Sequence, residues 1–368
     1  MNKHSKLLLF TGSYSDAADN GIQVFEFNEE AGGTLERVEQ IQGLTNPTFV
    51  NVDPDRLRLY AIGEKPNGEG GKEGEVVSYA IHPQTGALRE LSRTSTMAAE
   101  GKGQTTTCHI SRDPENQFIV VCSYHGGNIG LISLDEEGKT GKLCDTALHS
   151  GQGTDPVRQD RPHPHSAIFS PDGRYLFVSD LGLDIIRRYS IDRDKGTFVL
   201  EGDTAVHPGA GPRHFAFHPD GKSAYVINEV DSTVTSFTYD AESGQLNERM
   251  TLSTLPEDFT GDNICAEIAL SADGRFVYGS NRGMDSIVVF AVDAETANLT
   301  FIEHVSTHGG HPRHFTVTPD GGYLIAANRD ANNLVVFSID PGTGRLTFTG
   351  NTAEVSKPVC VKPALFRL

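Results

Sequence analysis

Three short segments gather the residue types best suited to chemistry: Arg161-Pro162-His163-Pro164-His165-Ser166, Gly211-Pro212-Arg213-His214-Phe215 and His311-Pro312-Arg313-His314-Phe315. Asn228-Glu229, Ala266-Glu267 and Asn281-Arg282 add two carboxylates and a further guanidinium. Imidazoles and carboxylates move protons, and the planar fork of arginine matches carboxylate and phosphate oxygens in pairs. Together they describe proton transfer on an anionic substrate, provided that one fold brings them together.

Other chemistries have little foothold. No G-x-S-x-G elbow, P-loop or H-E-x-x-H motif occurs. His163 and His165, at i and i+2 on a strand, would share a face and could ligate a metal, but the cysteines are scattered and ligand spacing is absent. A calcium site built from Glu229, Asn281 and Asn328 is conceivable from residue type alone. The expectation is therefore a site without metal or cofactor. A net charge of −18 over 368 residues argues against nucleic acid and anionic membrane surfaces, so an anionic substrate must meet a local positive site. Leu7-Leu8-Leu9-Phe10 is too short for a signal segment or a membrane span and reads as a strand. Five cysteines without a C-x-x-C pair fit a reducing cytoplasm better than a disulfide framework.

The elements that must position these residues repeat along the chain. An apolar residue followed three positions later by Asp, Asn or His recurs at Phe25, Tyr79, Ile132, Tyr189, Phe237, Phe290 and Phe337, with spacings of 54, 53, 57, 48, 53 and 47 residues. Turns of Thr-Gly-x-Leu type follow several of them, as at Thr85-Gly86 and Thr343-Gly344, and Asp-Gly turns or degenerate versions precede them at Asp55, Asp113, Asp172, Asp220, Asp273 and Asp320. Such periods exclude a β-helix, and such regularity disfavours a sandwich. The pattern predicts an all-β, seven-bladed β-propeller with four-stranded antiparallel blades, one domain spanning residues 1–368. Lys357-Pro358-Val359-Cys360-Val361 resembles the start of a blade, so the C-terminal strand is expected to complete the N-terminal blade and remove an open sheet edge. The Gly/Glu/Lys-rich run from Lys65 to Gly74 reads as a loop within a blade.

Fixed offsets from the Asp turns then locate one face of the disc. Seven residues before each turn, at the start of innermost strand A, stand Thr48, Thr106, His165, Arg213, Ala266 and Arg313; nine residues after it, at the end of strand B, stand Glu64, Cys122, Leu181, Glu229, Arg282 and Arg329. Blander readings exist for each. His165 could be a water-satisfied channel residue; Arg213 and Arg313 could brace neighbouring blades through backbone carbonyls, and the paired P-R-H-F segments could be repeat consensus. Glu229 could be the salt-bridge partner of Arg213 or Arg282. Glu64 and Arg329 lack supporting context and are left out of the candidate site, and the turn aspartates are structural.

The segments H-P-H-S, G-P-R-H-F, N-E, A-E and S-N-R, set among P-D-G and T-G-x-L turns, resemble the lactonase family of seven-bladed propellers along essentially the whole chain. The family's activities include hydrolysis of 6-phosphogluconolactone in carbohydrate metabolism, within the pentose phosphate pathway, and lactonization of muconates. Similarity to the proposed site of the muconate enzymes carries over to His165, Arg213, Glu229 and Arg282. The resemblance implies a lactonase in which His165 or Glu229 activates water and Arg213 stabilises the oxyanion. Arg282, with Arg313, His214, His163 and Glu267, would bind substrate. The implied partner is a small anionic lactone, handled by a monomer or weak homo-oligomer.

Overall fold

Runs such as Phe118-Ile119-Val120-Val121-Cys122 are apolar, β-branched and bounded by turn residues, so their backbone groups find partners only in a sheet. The computed structural model describes residues 5–367, which form seven antiparallel four-stranded blades, six of them from strands consecutive in the chain, and contain no α-helix among them. Blade 1 comprises Ser5–Ser13, Ile22–Asn28 and Thr34–Ile41. Blades 2 to 7 begin with inner strands Val50–Asp53, His109–Arg112, Pro164–Phe169, Pro212–Phe217, Ile264–Leu270 and Pro312–Val317. The missing inner strand of blade 1 is Pro358–Arg367, pairing antiparallel with Leu7 opposite Leu365 and Leu9 opposite Pro363. The seven inner strands touch one another in an unbroken ring, so closure by the C-terminal strand stands as the repeat required. A short strand, Gln104–Thr105, adds in parallel to the third strand of blade 2.

The core lies between blades. Phe276 and Tyr278 of blade 6 pack with Phe315, Leu324 and Phe337 of blade 7, while Leu7, Leu9 and Phe25 of blade 1 pack with Ile325, Leu334 and Val361. Each fully buried aromatic or aliphatic side chain contributes roughly 2–3 kcal/mol, so the wall between any two blades is a large share of the stability. Second strands such as Phe276–Arg282 are buried throughout, and outer strands such as Thr34–Ile41 are largely half-buried or exposed.

The Asp turns are clasps on the opposite face. Ser170 Oγ donates to Asp172 Oδ1 at 2.6 Å, Ser271 Oγ to Asp273 at 2.7 Å and Thr318 Oγ1 to Asp320 at 2.6 Å. Gly173, Gly221, Gly274 and Gly321 take φ of 70°, 68°, 76° and 78°, which a side chain resists. The run from Lys65 to Gly74 is half strand: the second strand of blade 2 continues to Pro66 and the third starts at Lys72, leaving a five-residue hairpin loop, 67–71.

Candidate active site

Three inner strands share an irregularity that makes the site. Pairing in blade 4 runs from Pro164–Asp180 directly to Ser166–Ser179, in blade 5 from Pro212–Asn228 to His214–Ile227, and in blade 7 from Pro312–Asn328 to His314–Ala327. The unpaired residue is therefore His165, Arg213 and Arg313 respectively. A β-bulge at the strand entrance bends the chain and lets consecutive side chains turn the same way. Arg213 and His214, and likewise Arg313 and His314, all line one cavity of about 370 Å³ at the mouth of the channel.

Most of the offset positions meet there: Thr48, Glu64, Thr106, His165, Arg213, Glu229, Arg282, Arg313 and Arg329 line the cavity, and Cys122, Leu181 and Ala266 do not. Two of the expected substrate-binding residues do not line this cavity. His163 lies outside the lining because the bulge at His165 breaks the i, i+2 alternation; its ring instead stacks on Tyr124 at 4.1 Å and its Nδ1 meets the Tyr124 carbonyl. Glu267 is outside it as well, buried against two histidines. In the other direction, Glu64 and Arg329 belong to the lining although context gave no reason to include them.

Glu229 organises the arginines. Its Oε2 lies 2.8 Å from Arg213 Nε and 2.7 Å from Arg282 Nη2, and its Oε1 pairs with Arg158 Nη2. Burial alone would raise the carboxyl, but Arg282, Arg213 and Arg158 outweigh it and hold Glu229 well below the usual carboxylate range. With both oxygens engaged, Glu229 is a poor proton acceptor and a good clamp. Arg213 also donates Nη1 to the Ala266 carbonyl. Burial, then the like charges of Arg282 and Arg313, draw its guanidinium down to about 9, so it stays charged at neutral pH. Arg313 has no carboxylate partner among the described residues and lies over the Tyr14 ring at 5.8 Å, leaving its charge available to a ligand.

His165 is neutral at physiological pH. Burial, then Arg213, His214 and Arg313, push its proton affinity well below the ordinary imidazole value. Its Nδ1 is buried without a partner, so the other edge of the ring serves the cavity. The bland reading of Glu229 as a salt-bridge partner and of Arg213 as a brace is thus accurate for their contacts, yet both also line the cavity.

Arg158 and Tyr124 were not legible as lining residues. Arg158 sits on the connection between blades 3 and 4, where no turn offset applies; Gln159 fixes it by accepting from the Thr154 and Asp155 amides and donating to the Leu181 carbonyl and Asp184. The length of that connection was the one available signal. Asn281 and Asn328 face inward networks and not the channel: Asn281 bonds Thr254 and Asn263, Asn328 the Thr307 carbonyl and Asn333. With Glu229 surrounded by guanidinium groups, the conceivable calcium site loses its donors. Among the described residues no cluster of three or more His, Cys, Asp or Glu is arranged to hold a metal.

The seven-bladed propeller that carries this cavity has counterparts among known proteins. The family model described as "Lactonase, 7-bladed beta-propeller" matches residues 8–363. The chain belongs to this lactonase family. Within it, the 6-phosphogluconolactonase of Bacillus subtilis (strain 168) is 37% identical over 97% of this chain and 98% of its own. A 6-phosphogluconolactonase of Formosa agariphila is 32% identical over 84% of this chain and 86% of its own. The solved periplasmic gluconolactonase of Pseudomonas aeruginosa superposes with a TM-score of 0.87 at 30% identity, covering 97% of this chain and 99% of that one. The resemblance carried by H-P-H-S and G-P-R-H-F therefore identified the family.

Proposed function

We propose that this propeller hydrolyses a sugar-derived lactone, with 6-phosphogluconolactone as its substrate and 6-phosphogluconate as product. The observation that carries this reading is the cavity's charge: Arg158, Arg213, Arg282, Arg313 and Arg329 face Glu64 and Glu229 in a protein whose net charge is −18. A strongly acidic protein that concentrates arginine in one cleft draws anions to it. The names of the relatives support lactone hydrolysis over muconate lactonization.

In this reading Arg313, with Arg282, anchors the phosphate, and the unspent donor of Arg213 stabilises the oxyanion that develops at the lactone carbonyl. His165 takes the proton of the attacking water. Its low affinity for protons keeps it neutral before substrate arrives, and the incoming phosphate charge raises that affinity when the base is needed. Glu229 holds Arg158, Arg213 and Arg282 in register and does not carry protons. Five cysteines that are all free thiols support a reducing cytoplasm as the working compartment, and among the described residues no helix is long and apolar enough to cross a membrane. A small lactone is the only partner the reading needs.

The test is direct. Purified protein should hydrolyse 6-phosphogluconolactone well above the spontaneous rate and prefer it to unphosphorylated gluconolactone; decay of the phosphorylated lactone at the uncatalysed rate would overturn the assignment.

A further inference from the structure

Beside the arginines stand three groups that the proposed reaction leaves unused: His214 and His314, which line the cavity, and Glu267. His214 Nδ1 lies 3.0 Å from both oxygens of Glu267, and His314 Nε2 lies 2.9 Å from Oε2 of the same carboxylate. The Val361 amide donates to His314 Nδ1, so the His314 proton stands on Nε2. Glu267, a carboxylate, can only accept from His214, which must therefore carry its proton on Nδ1; His314 Nε2 lies close to the same carboxylate without hydrogen-bond geometry. Nε2 of His214 is then a lone pair, buried and without a partner.

Nδ1 of His165 is the complementary orphan, also buried and unpartnered. The two rings stand edge to face, 64° apart with centroids separated by 5.2 Å, a spacing at which facing nitrogens come within hydrogen-bond reach on a small rotation of either ring. With its proton on Nδ1, His165 needs an acceptor, and His214 Nε2 offers one. A buried polar atom left unpaired is costly, and two that can satisfy each other through a small adjustment point to a contact formed in the working state.

We propose that His214 and Glu267 are positioning residues for His165: His214 Nε2 accepts the His165 Nδ1–H, Glu267 fixes the His214 tautomer, and His165 Nε2 is thereby presented to the lactone-bound water. This rests on the lactonase reading above. The water oxygen bonds to the lactone carbonyl carbon while its proton passes to His165 Nε2. The ring C–O bond then breaks and His165 returns that proton to the departing ring oxygen, so one water is consumed and no other reagent is required. Glu267 supplies negative charge behind the imidazolium that forms. Burial draws His214 down to about 4 despite Glu267, which keeps it neutral and able to accept.

The groups facing His165 are Arg213 and His214 from blade 5, Arg313 from blade 7, and Tyr124 and Cys108 from blade 3. Those facing His214 are Glu267, His314, His109, His165 and Arg213. Only Glu267 is anionic, so its loss lowers the proton affinity along the chain of imidazoles.

The deciding experiment measures kcat, KM and the pH profile of kcat/KM on 6-phosphogluconolactone for wild type, H165Q, H214F, H214Q and E267Q. The expected results are a fall in kcat of about 100-fold for H214F with KM little changed, and partial recovery in H214Q, whose amide oxygen can accept from His165. E267Q should move the acid limb to lower pH. A merely structural role would alter stability and KM but leave that limb in place. Folded H214F and E267Q with wild-type kcat and profile overturn the proposal; if H214F does not fold, the limb of E267Q decides alone. A wild type without activity overturns the underlying reading instead, which separates the two failures.

Discussion

Glu229 shows how one side chain serves stability and chemistry together. Only 4% exposed, it neutralises part of a cluster of three guanidinium groups that could not otherwise share a small cavity. Removing one member of a buried ionic network costs about 3–5 kcal/mol because the remaining charges stay buried. E229Q should therefore lower unfolding free energy by an amount of that order in urea titrations, and disperse the arginines enough to weaken catalysis. Its pH signature follows from linkage. The folded carboxyl titrates below its ordinary value of 4.5, so below that pH the unfolded chain binds more protons. The stability it contributes is complete above about pH 4.5 and is lost progressively as pH falls; E229Q should flatten this part of the stability profile. Arg213 belongs to the same network, so R213A should cost stability too; on the proposed function it also removes the donor to the carbonyl oxygen and should reduce kcat/KM by about 100- to 1000-fold, and R213K, which lacks the fork, should recover little of it.

At the scale of elements, the bulges in blades 4, 5 and 7 and the connection between blades 3 and 4 decide what the cavity contains. A regular strand would send Arg213 and His214 to opposite faces; the bulge gives both to the channel. No residue type marks this, since the Pro-x-x pattern at Pro164, Pro212 and Pro312 is visible as a motif but not as a register shift. Counting therefore places His165, Arg213 and Arg313 in the lining, whereas the i, i+2 alternation does not place His163, which stands before the bulge and against Tyr124. The connection 149–163 delivers Arg158 through the buried amide of Gln159. Q159A should loosen it and raise KM for 6-phosphogluconolactone about tenfold, equivalent to roughly one lost hydrogen-bonded contact, with a smaller change in kcat.

For the whole molecule, closure is the controlling feature. Without Pro358–Arg367, the strand Ser5–Ser13 becomes an exposed edge rich in leucine, and the apolar wall against blade 7 loses Val361. Deleting residues 357–368, of which Leu368 lies outside the described residues, should abolish the cooperative thermal transition and produce aggregates on size-exclusion chromatography; a soluble monomer melting like the full chain would contradict this. The repeat that predicts seven blades and this closure is written along the chain because each blade obeys the same local rules of strand period and turn chemistry, and the family was legible from its motifs for the same reason. Which side chains meet is a different matter. Whether Glu229 carries protons or clamps arginines depends on Arg158 arriving from a distant connection, and whether His165 has a partner depends on a ring in the next blade. Those contacts join residues separated by roughly one blade or more, and electrostatics at such a site is set by distance and burial, which the order of residues does not contain and only the closed ring supplies.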